Sequence, residues 1–152
     1  SAASDVYKRQ TPLNPLLKAL KNEFMKIYSV TFNWPTQEFA SLIVMDEELI
    51  REAMSEVLNN AIDSVSTLTR AGTVGISVTE DDTHFIIDIT DNGEGVSKEN
   101  QEKLFTPFFT TKAGHKGLGL VRAKRNVLFH NGEILYGQKD KSHFFRIIIP
   151  HG

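Results

Sequence analysis

The sequence predicts a single α/β domain in which helices pack against a β-sheet. Segments whose apolar residues recur at helical spacing alternate along the chain with short segments of strand-like alternation. The length agrees, because 152 residues are enough for one domain with a sizeable core and too few for two comfortable ones. This alternation does not say on which face of the sheet the helices lie.

The composition excludes several classes of function. Lys and Arg number 17 and Asp and Glu 19, so no strong field of one sign attracts nucleic acid or an anionic membrane. Cysteine is absent, which excludes disulfides and thiolate metal sites and fits a reducing compartment. We see neither an apolar run of membrane-spanning length nor a signal peptide. The expected location is therefore cytoplasmic, with membrane anchoring left open for a longer protein.

The first ten residues show no periodicity. They are expected to be a remnant of cloning or sequencing, so the domain is assigned to residues 11–152. Apolar residues at helical spacing predict a first helix from Leu13, with Asn14 and Pro15 supplying its cap and first-turn proline. Alternating apolar residues then predict strands at 28–33 and at Leu42–Met45.

The clearest helix begins after the cap residue Asp46. Its apolar residues recur at three- and four-residue steps, which predicts one continuous stripe buried against the sheet. The stripe consists of Ile50, Ala53, Met54, Val57, Leu58, Ala61, Ile62 and Val65. On the other side Glu56, Asn60 and Asp63 fall at i, i+4 and i+7, so their side chains line up over two turns. For a generic helix such a row is simply a solvated polar face.

A glycine-rich stretch between residues 91 and 120 contains the candidate ligand-binding residues. A strand predicted over 84–90 leads into Asp91-Asn-Gly-Glu-Gly95, and a second glycine cluster opens a helix predicted from Leu118 to Phe129. Glycines let the backbone approach a ligand, and amides at a helix N-terminus favour an anion. Asp91 is placed to accept a hydrogen bond from an amino group such as that of a purine. The spacing predicts a nucleotide site that includes Gly93, Gly95, Gly114, Gly117 and Gly119.

Between the two glycine clusters lies a predicted lid, residues 97–116. Ser97 is the expected cap of a short helix, which leads to Leu104-Phe-Thr-Pro-Phe-Phe-Thr-Thr-Lys112. Aromatic residues beside hydroxyl groups and a lysine are unusual in a solvated loop. Each short motif alone is most often a tight turn or a flexible helix entry, but their combination favours nucleotide binding. We expect the lid to close when a triphosphate binds.

Strands and turns fill the rest of the chain. Glycines at 72 and 75 introduce a strand through residue 79, and Glu80-Asp-Asp82 predicts a hairpin turn into the next strand. Asn131-Gly132 predicts another turn, followed by strands at 133–138 and 144–149. The basic residues of the last helix, namely Arg122, Lys124 and Arg125, are interpreted as a solvent-facing row, because no aromatic platform for nucleic acid interleaves them.

Taken together, these motifs resemble the ATP-binding catalytic domain of sensor histidine kinases, in the superfamily that also contains gyrase, Hsp90 and mismatch-repair ATPases. The resemblance covers roughly residues 46–150, and the form of the phenylalanine-rich motif looks closest to the nitrogen-regulation type. It implies a two-layer α/β sandwich, in which a mixed sheet of about five or six strands has helices packed on one face. It also implies ATP and Mg²⁺ as cofactors, a phosphoacceptor dimerisation domain outside this chain, and a response regulator as partner.

The resemblance assigns roles to individual residues. Asn60 is implied to hold Mg²⁺ against the triphosphate, and Glu56 stands where most histidine kinases have an asparagine. A carboxylate occurs there in hydrolytic relatives, so Glu56 is a candidate general base and metal ligand. Many kinases carry Gly-Thr where this chain has Ser142-His143, which puts one adenine contact in doubt. The other implied nucleotide-binding residues are Asp63, Asp91, Gly93, Gly95, Phe108, Thr110, Thr111, Lys112, Gly114, Gly117, Leu118, Gly119 and Leu120.

Two other functions remain open at this point. An ATP-hydrolysing domain of the gyrase or Hsp90 kind would share Glu56, Asn60 and Asp91, but it normally needs a following domain that supplies a phosphate-contacting lysine. The other is a serine kinase of the anti-sigma type or a nucleotide-binding interaction module, marked by phosphorylation of a small partner protein in place of a histidine on a helix pair. The resemblance implies no contact of the domain with nucleic acid or directly with a membrane.

Overall fold

The computed structural model describes residues 8–109 and 117–152. The helices and strands predicted for these ranges are present, with ends shifted by a few residues. In chain order they are β1 Arg9–Pro12, α1 Leu13–Phe24, β2 Val30–Asn33, β3 Leu42–Met45, α2 Glu47–Ser66, β4 Gly72–Glu80, β5 His84–Asp91, α3 Lys98–Gln101, α4 Gly119–Phe129, β6 Glu133–Lys139 and β7 Ser142–Pro150. None of the helices in these ranges has the length and apolar character that crossing a membrane requires.

The main sheet has five strands in the order β2-β4-β5-β7-β6. Strand β2 runs parallel to β4, whereas the other neighbouring strands are antiparallel, so the sheet is mixed. Helix α2 packs on β4 and β5, and α4 packs on β6 and β7. The predicted two-layer sandwich, with helices on one face of a mixed sheet, is confirmed.

A second, two-stranded sheet pairs β1 with β3. Arg9 and Gln10, which were expected to precede the domain, pair here with Met45 and Val44. All four residues of β1 are exposed or half-buried, so backbone hydrogen bonds hold this strand and no buried alternation marks it in the sequence. Residues 1–7 lie outside the described ranges.

Helix α2 forms as its sequence predicts. The Asp46 side chain caps it by accepting a hydrogen bond from the Leu49 amide at 3.3 Å. The predicted apolar stripe is buried against the sheet, with Ile62 partly buried at its margin. Across from it, alternate residues of β5 are buried, and this alternation continues to Asp91 at the strand's end. The carboxylate therefore lies on the face of the sheet that the helices cover.

Helix α4 runs antiparallel to α2. Near the start of α2, the Asn126 side-chain amide donates to the Leu49 carbonyl at 2.9 Å, and the Asp46 amide donates to His130 Nε2 at 2.9 Å. His130 Nδ1 carries the proton and donates to the Asn126 carbonyl at 2.7 Å. Burial lowers the pKa of His130, because a buried charged ring would lose its hydration. This pairing brings the N-terminus of α4 beside the middle of α2.

Candidate nucleotide-binding site

A cavity of about 670 Å³ lies between α2, the loop after β5 and the first turn of α4. This volume is in the range of sites for small organic ligands. The polar row predicted on α2 forms one wall, and the glycine-opened turn of α4 forms another. The sequence-predicted residues that line the cavity are Glu56, Asn60, Asp63, Gly95, Gly117, Leu118, Gly119 and Leu120.

Sequence reasoning missed several lining residues. Ser64 and Thr67 continue the polar row of α2, because they follow Asn60 by four and seven residues. That helical spacing was a usable signal, whereas the other residues are brought to the cavity by tertiary packing. They are Asn59, Glu94, Val96, Leu104, Phe109 and Arg122.

Asp91 does not line the cavity but is hydrogen-bonded to a residue that does. It is 5% exposed, and its Oδ1 accepts hydrogen bonds from Ser64 Oγ at 3.0 Å and from the Gly93 amide at 2.8 Å. Ser64 lines the cavity in front of it. A Cβ at Gly93 would stand 2.1 Å from Ser64 Oγ and 2.5 Å from the Ser64 carbonyl oxygen. Glycine at 93 is therefore required for the loop to approach α2 this closely.

Asn92 fixes the same turn to strand β4. Its Oδ1 accepts from the Thr73 amide at 2.8 Å, and its Nδ2 donates to the Ala71 carbonyl at 3.0 Å. Arg70 also donates to the Asn92 carbonyl at 2.8 Å. These bonds give the Asp91-Asn-Gly turn a defined shape before any ligand enters.

His143 lies beside Asp91 on the helix-covered face, because the two residues pair directly across β7 and β5. Its ring is buried, and Nε2–H donates to the Gly93 carbonyl at 2.6 Å. Among the described residues, Nδ1 has no hydrogen-bond partner. Gly95 has a φ of 78°, and a Cβ there would meet the His143 ring at 2.3 Å. His143 thus supports the glycine turn through its contacts with Gly93 and Gly95.

The described part of the lid begins as predicted. Ser97 caps α3 by accepting from the Asn100 amide at 3.3 Å. Further along, the Phe108 amide donates to the Gly117 carbonyl at 3.1 Å, so the described part of the lid contacts the residue that follows the lid. The predicted contact residues Thr110, Thr111, Lys112 and Gly114 lie outside the described residues.

The structure does not bring Phe108 to the cavity. Its φ of 65° turns the side chain outward, where it is 74% exposed. The neighbouring Phe109 lines the cavity instead and packs against the core. A positive φ at one residue changes the direction of a single side chain. Because no periodic pattern in the sequence marks such a change, it could not be predicted.

Glu56 and Arg122 meet at the end of the cavity away from Asp91. Arg122 Nη2 donates to Glu56 Oε1 at 2.9 Å, and both residues line the cavity. Arg122 was interpreted from the sequence as part of a solvent-facing row. The structure instead turns it toward α2, because α4 packs antiparallel on that helix.

These features suit a nucleotide with its cation. Asn60 and Glu56 offer hard oxygen atoms of the kind that Mg²⁺ prefers when phosphates and water complete its shell. The first turn of α4 points backbone amides toward the cavity from a helix N-terminus, which favours an anion. The buried Asp91 carboxylate at the other end suits an amino-bearing base. Anion-binding and amine-binding chemistry therefore stand at opposite ends of one cavity.

Comparison with known proteins places the chain in a family. Residues 45–152 match the family described as histidine kinase-, DNA gyrase B- and HSP90-like ATPases. The signal transduction histidine-protein kinase AtoS of Escherichia coli is 38% identical over 95 residues, which cover 62% of this chain and 15% of AtoS. The sensor histidine kinase ZraS of Salmonella typhimurium is 34% identical over 123 residues, which cover 80% of this chain and 26% of ZraS. The chain thus spans a small part of these relatives.

Solved structures share the fold. The catalytic domain of histidine kinase ThkA superposes with a TM-score of 0.82 at 24% identity over 95% of each chain. The mycobacterial sensor histidine kinase MprB gives a TM-score of 0.80 at 22% identity over 93% of this chain and 97% of that one. ThkA in complex with the response regulator protein TrrA gives a TM-score of 0.77 at 22% identity, over 95% of this chain and 42% of that one. The chain belongs to the family of histidine kinase-, DNA gyrase B- and HSP90-like ATPases, and the predicted resemblance to the ATP-binding domain of sensor histidine kinases is confirmed.

Proposed function

We propose that this chain binds ATP with Mg²⁺ and donates the γ-phosphoryl group to a histidine on a dimerisation domain outside this chain. The phosphoryl group then passes to a response regulator, in the cytoplasm. The observation that carries the proposal is the cavity that joins the polar row of α2 to the glycine-opened start of α4 in a chain of this ATPase family. The names of AtoS and ZraS, and the ThkA complex with a response regulator, support the kinase role.

At one end of the cavity, Asp91 and Ser64 recognise adenine. Their mutual hydrogen bond fixes both oxygen-bearing groups beside the glycine turn. Acceptors held in this way select a purine with an amino group at C6, as in adenine, because the C6 carbonyl of guanine would face another acceptor. Guanine nucleotides are therefore expected to bind less tightly than adenine nucleotides.

At the other end, the phosphates lie against the first turn of α4. Gly117 and Gly119 line this part of the cavity, and the helix N-terminus stabilises the negative charge of the phosphates. Asn60 would hold Mg²⁺ through its side-chain oxygen, and the bound ion would neutralise negative charge on the phosphates and make the γ-phosphorus more electrophilic. Asp63, in the same helical row, completes the polar wall.

Phosphoryl transfer takes place at the Glu56 end. A ring nitrogen of the acceptor histidine attacks the γ-phosphorus, the bond to the β–γ bridging oxygen breaks, and ADP leaves. The Glu56 carboxylate accepts a hydrogen bond from the N–H of the second ring nitrogen and so orients the ring. It then accepts the proton of that N–H as the phosphohistidine forms. Glu56 therefore affects the rate of phosphoryl transfer, whereas Asn60 affects the binding of the triphosphate with its Mg²⁺.

The test uses this chain together with the dimerisation domain of the full-length protein. With Mg²⁺ and γ-labelled ATP, we expect acid-labile label on that domain and none on a version whose acceptor histidine is replaced. Release of inorganic phosphate without labelled protein would favour the gyrase-like alternative. Acid-stable label on serine would favour the anti-sigma-type alternative.

A further inference from the structure

Arg122 stands at the outer end of the cavity. Ser64 is hydrogen-bonded to Asp91 at the end of the cavity proposed for adenine. From there toward the start of α2, the cavity is lined by Asn60 and then by Glu56. Because α4 runs antiparallel to α2, Arg122 reaches the cavity beside Glu56, beyond the first turn of α4. The guanidinium is thus far from the proposed adenine site and close to Glu56, the carboxylate assigned to phosphoryl transfer.

Two groups of α4 define where the Glu56 carboxylate sits. On one side Arg122 Nη2 donates to Oε1 at 2.9 Å. On the other side, the three atoms nearest to a Cβ built on Gly119 all belong to the Glu56 carboxyl group, with Oε2 at 2.3 Å. The carboxylate therefore occupies a place between the bare Cα of Gly119 and the Arg122 guanidinium.

Arg122 also forms an ion pair with a second carboxylate. Its Nε lies 3.7 Å from Glu52 Oε1, one helical turn before Glu56. The side chains of Arg122 and Glu56 are 40% and 27% exposed, so solvent screens the pair and it contributes little to folding stability. A planar guanidinium nevertheless restricts the direction of a carboxylate more than a lysine ammonium does. The contact is better suited to orientation than to stability.

We propose that Arg122 is a positioning residue for phosphoryl transfer. It holds the Glu56 carboxylate against Gly119, in the orientation from which the carboxylate acts on the acceptor histidine, and it acts through Glu56 without binding the nucleotide. An unrestrained glutamate would sample several rotamers, and a displacement of about 1 Å is enough to lower a rate about 100-fold. The inference rests on the proposed function of the site.

The test compares single and double variants of this chain. Arg122→Gln is expected to lower single-turnover transfer to the dimerisation domain about 10- to 100-fold, the range for a misplaced group. Affinity for a non-hydrolysable ATP analogue is expected to stay within about threefold, since that is under 1 kcal/mol of binding. Adding Arg122→Gln to Glu56→Gln is expected to cause no further loss. Arg122→Lys is expected to recover part of the rate.

A matched control and a second variant separate position from folding. Arg125→Gln makes the same change on an exposed part of α4 and is expected to alter neither rate nor affinity. Gly119→Ala displaces the carboxylate from the opposite side; because Gly119 also belongs to the proposed phosphate-binding turn, this variant is compared by NMR in the absence of nucleotide and not by its rate. In the nucleotide-free chain, both Arg122→Gln and Gly119→Ala are expected to shift the Glu56 carboxyl-carbon NMR resonance, whereas Arg125→Gln leaves it in place.

Several results would overturn the inference. One is wild-type transfer by Arg122→Gln, and another is independent, multiplicative losses in the double variant with Glu56→Gln. A large loss of affinity for the ATP analogue in Arg122→Gln, with little loss for adenosine, would make Arg122 a phosphate-binding residue instead. If the unsubstituted, folded chain binds no nucleotide, the proposed function fails together with the inference.

Discussion

Replacing Asp91 by asparagine tests the recognition of adenine while leaving the turn intact. The asparagine Oδ1 can still accept from Ser64 Oγ and from the Gly93 amide, the bonds that Asp91 accepts at 3.0 and 2.8 Å. Its amide NH₂, however, replaces the second carboxylate oxygen. A donor then faces the exocyclic amino group of adenine, where an acceptor is required.

The size of the effect follows from one mismatched buried hydrogen bond. Leaving a buried polar group without its partner costs about 1–3 kcal/mol, which corresponds to a loss of affinity of about 5- to 150-fold. The preference for adenine should also fall, because an NH₂ donor can pair with the carbonyl oxygen of guanine. Asp91→Asn is therefore expected to narrow the ratio of ATP to GTP affinity.

Calorimetric titration with non-hydrolysable ATP and GTP analogues measures both quantities. Asp88→Asn is the matched control, since it lies on the same strand but on the opposite face, where Asp88 accepts from Arg146 at 2.8 and 3.0 Å. It should leave nucleotide affinity unchanged. An Asp91→Asn protein that is folded and binds the ATP analogue as tightly as the unsubstituted chain would refute this account of adenine recognition.

Three further predictions concern the metal, the glycine turn and pH. Asn60→Ala should weaken binding of the ATP analogue with Mg²⁺, and raising the Mg²⁺ concentration in the titration should restore part of it; an unchanged Mg²⁺ dependence would exclude Asn60 as a ligand. Gly95→Ala should lower stability in thermal melts by about 1–3 kcal/mol, because it places a Cβ at a φ of 78° against the His143 ring. Because burial lowers the pKa of His130, the unfolded chain takes up the proton first, so stability should fall as pH drops below about 6.5, by at most about 1.4 kcal/mol per pH unit. Urea melts between neutral and mildly acidic pH should show this slope, and His130→Gln should flatten it.

Local patterns were enough to predict most of the fold. The apolar stripe of α2 and the alternation of β5 depend only on helical and strand periods, and both are buried as expected. The Asp46 cap is equally local, since its partner is three residues away. Strand β1 escaped prediction because its exposed side chains carry no pattern and its partner lies on β3.

The parts of the site that depend on tertiary packing were not predictable. Arg122 looks like a solvent-facing residue until α4 is packed antiparallel on α2, which brings it to Glu56. His143 reaches Asp91 only through the register of β7 against β5. The outward turn of Phe108 depends on a single positive φ. By contrast, the row of Glu56, Asn60 and Asp63 follows directly from helical spacing, and all three line the cavity.

Calorimetry on the unsubstituted chain decides whether this cavity binds ATP together with Mg²⁺. A non-hydrolysable ATP analogue is titrated into the folded protein with and without Mg²⁺, and a GTP analogue provides the comparison. We expect saturable binding of one ATP analogue per chain below millimolar concentration, tighter with Mg²⁺ and weaker for the GTP analogue. No heat of binding from protein whose circular dichroism shows it to be folded would contradict this expectation.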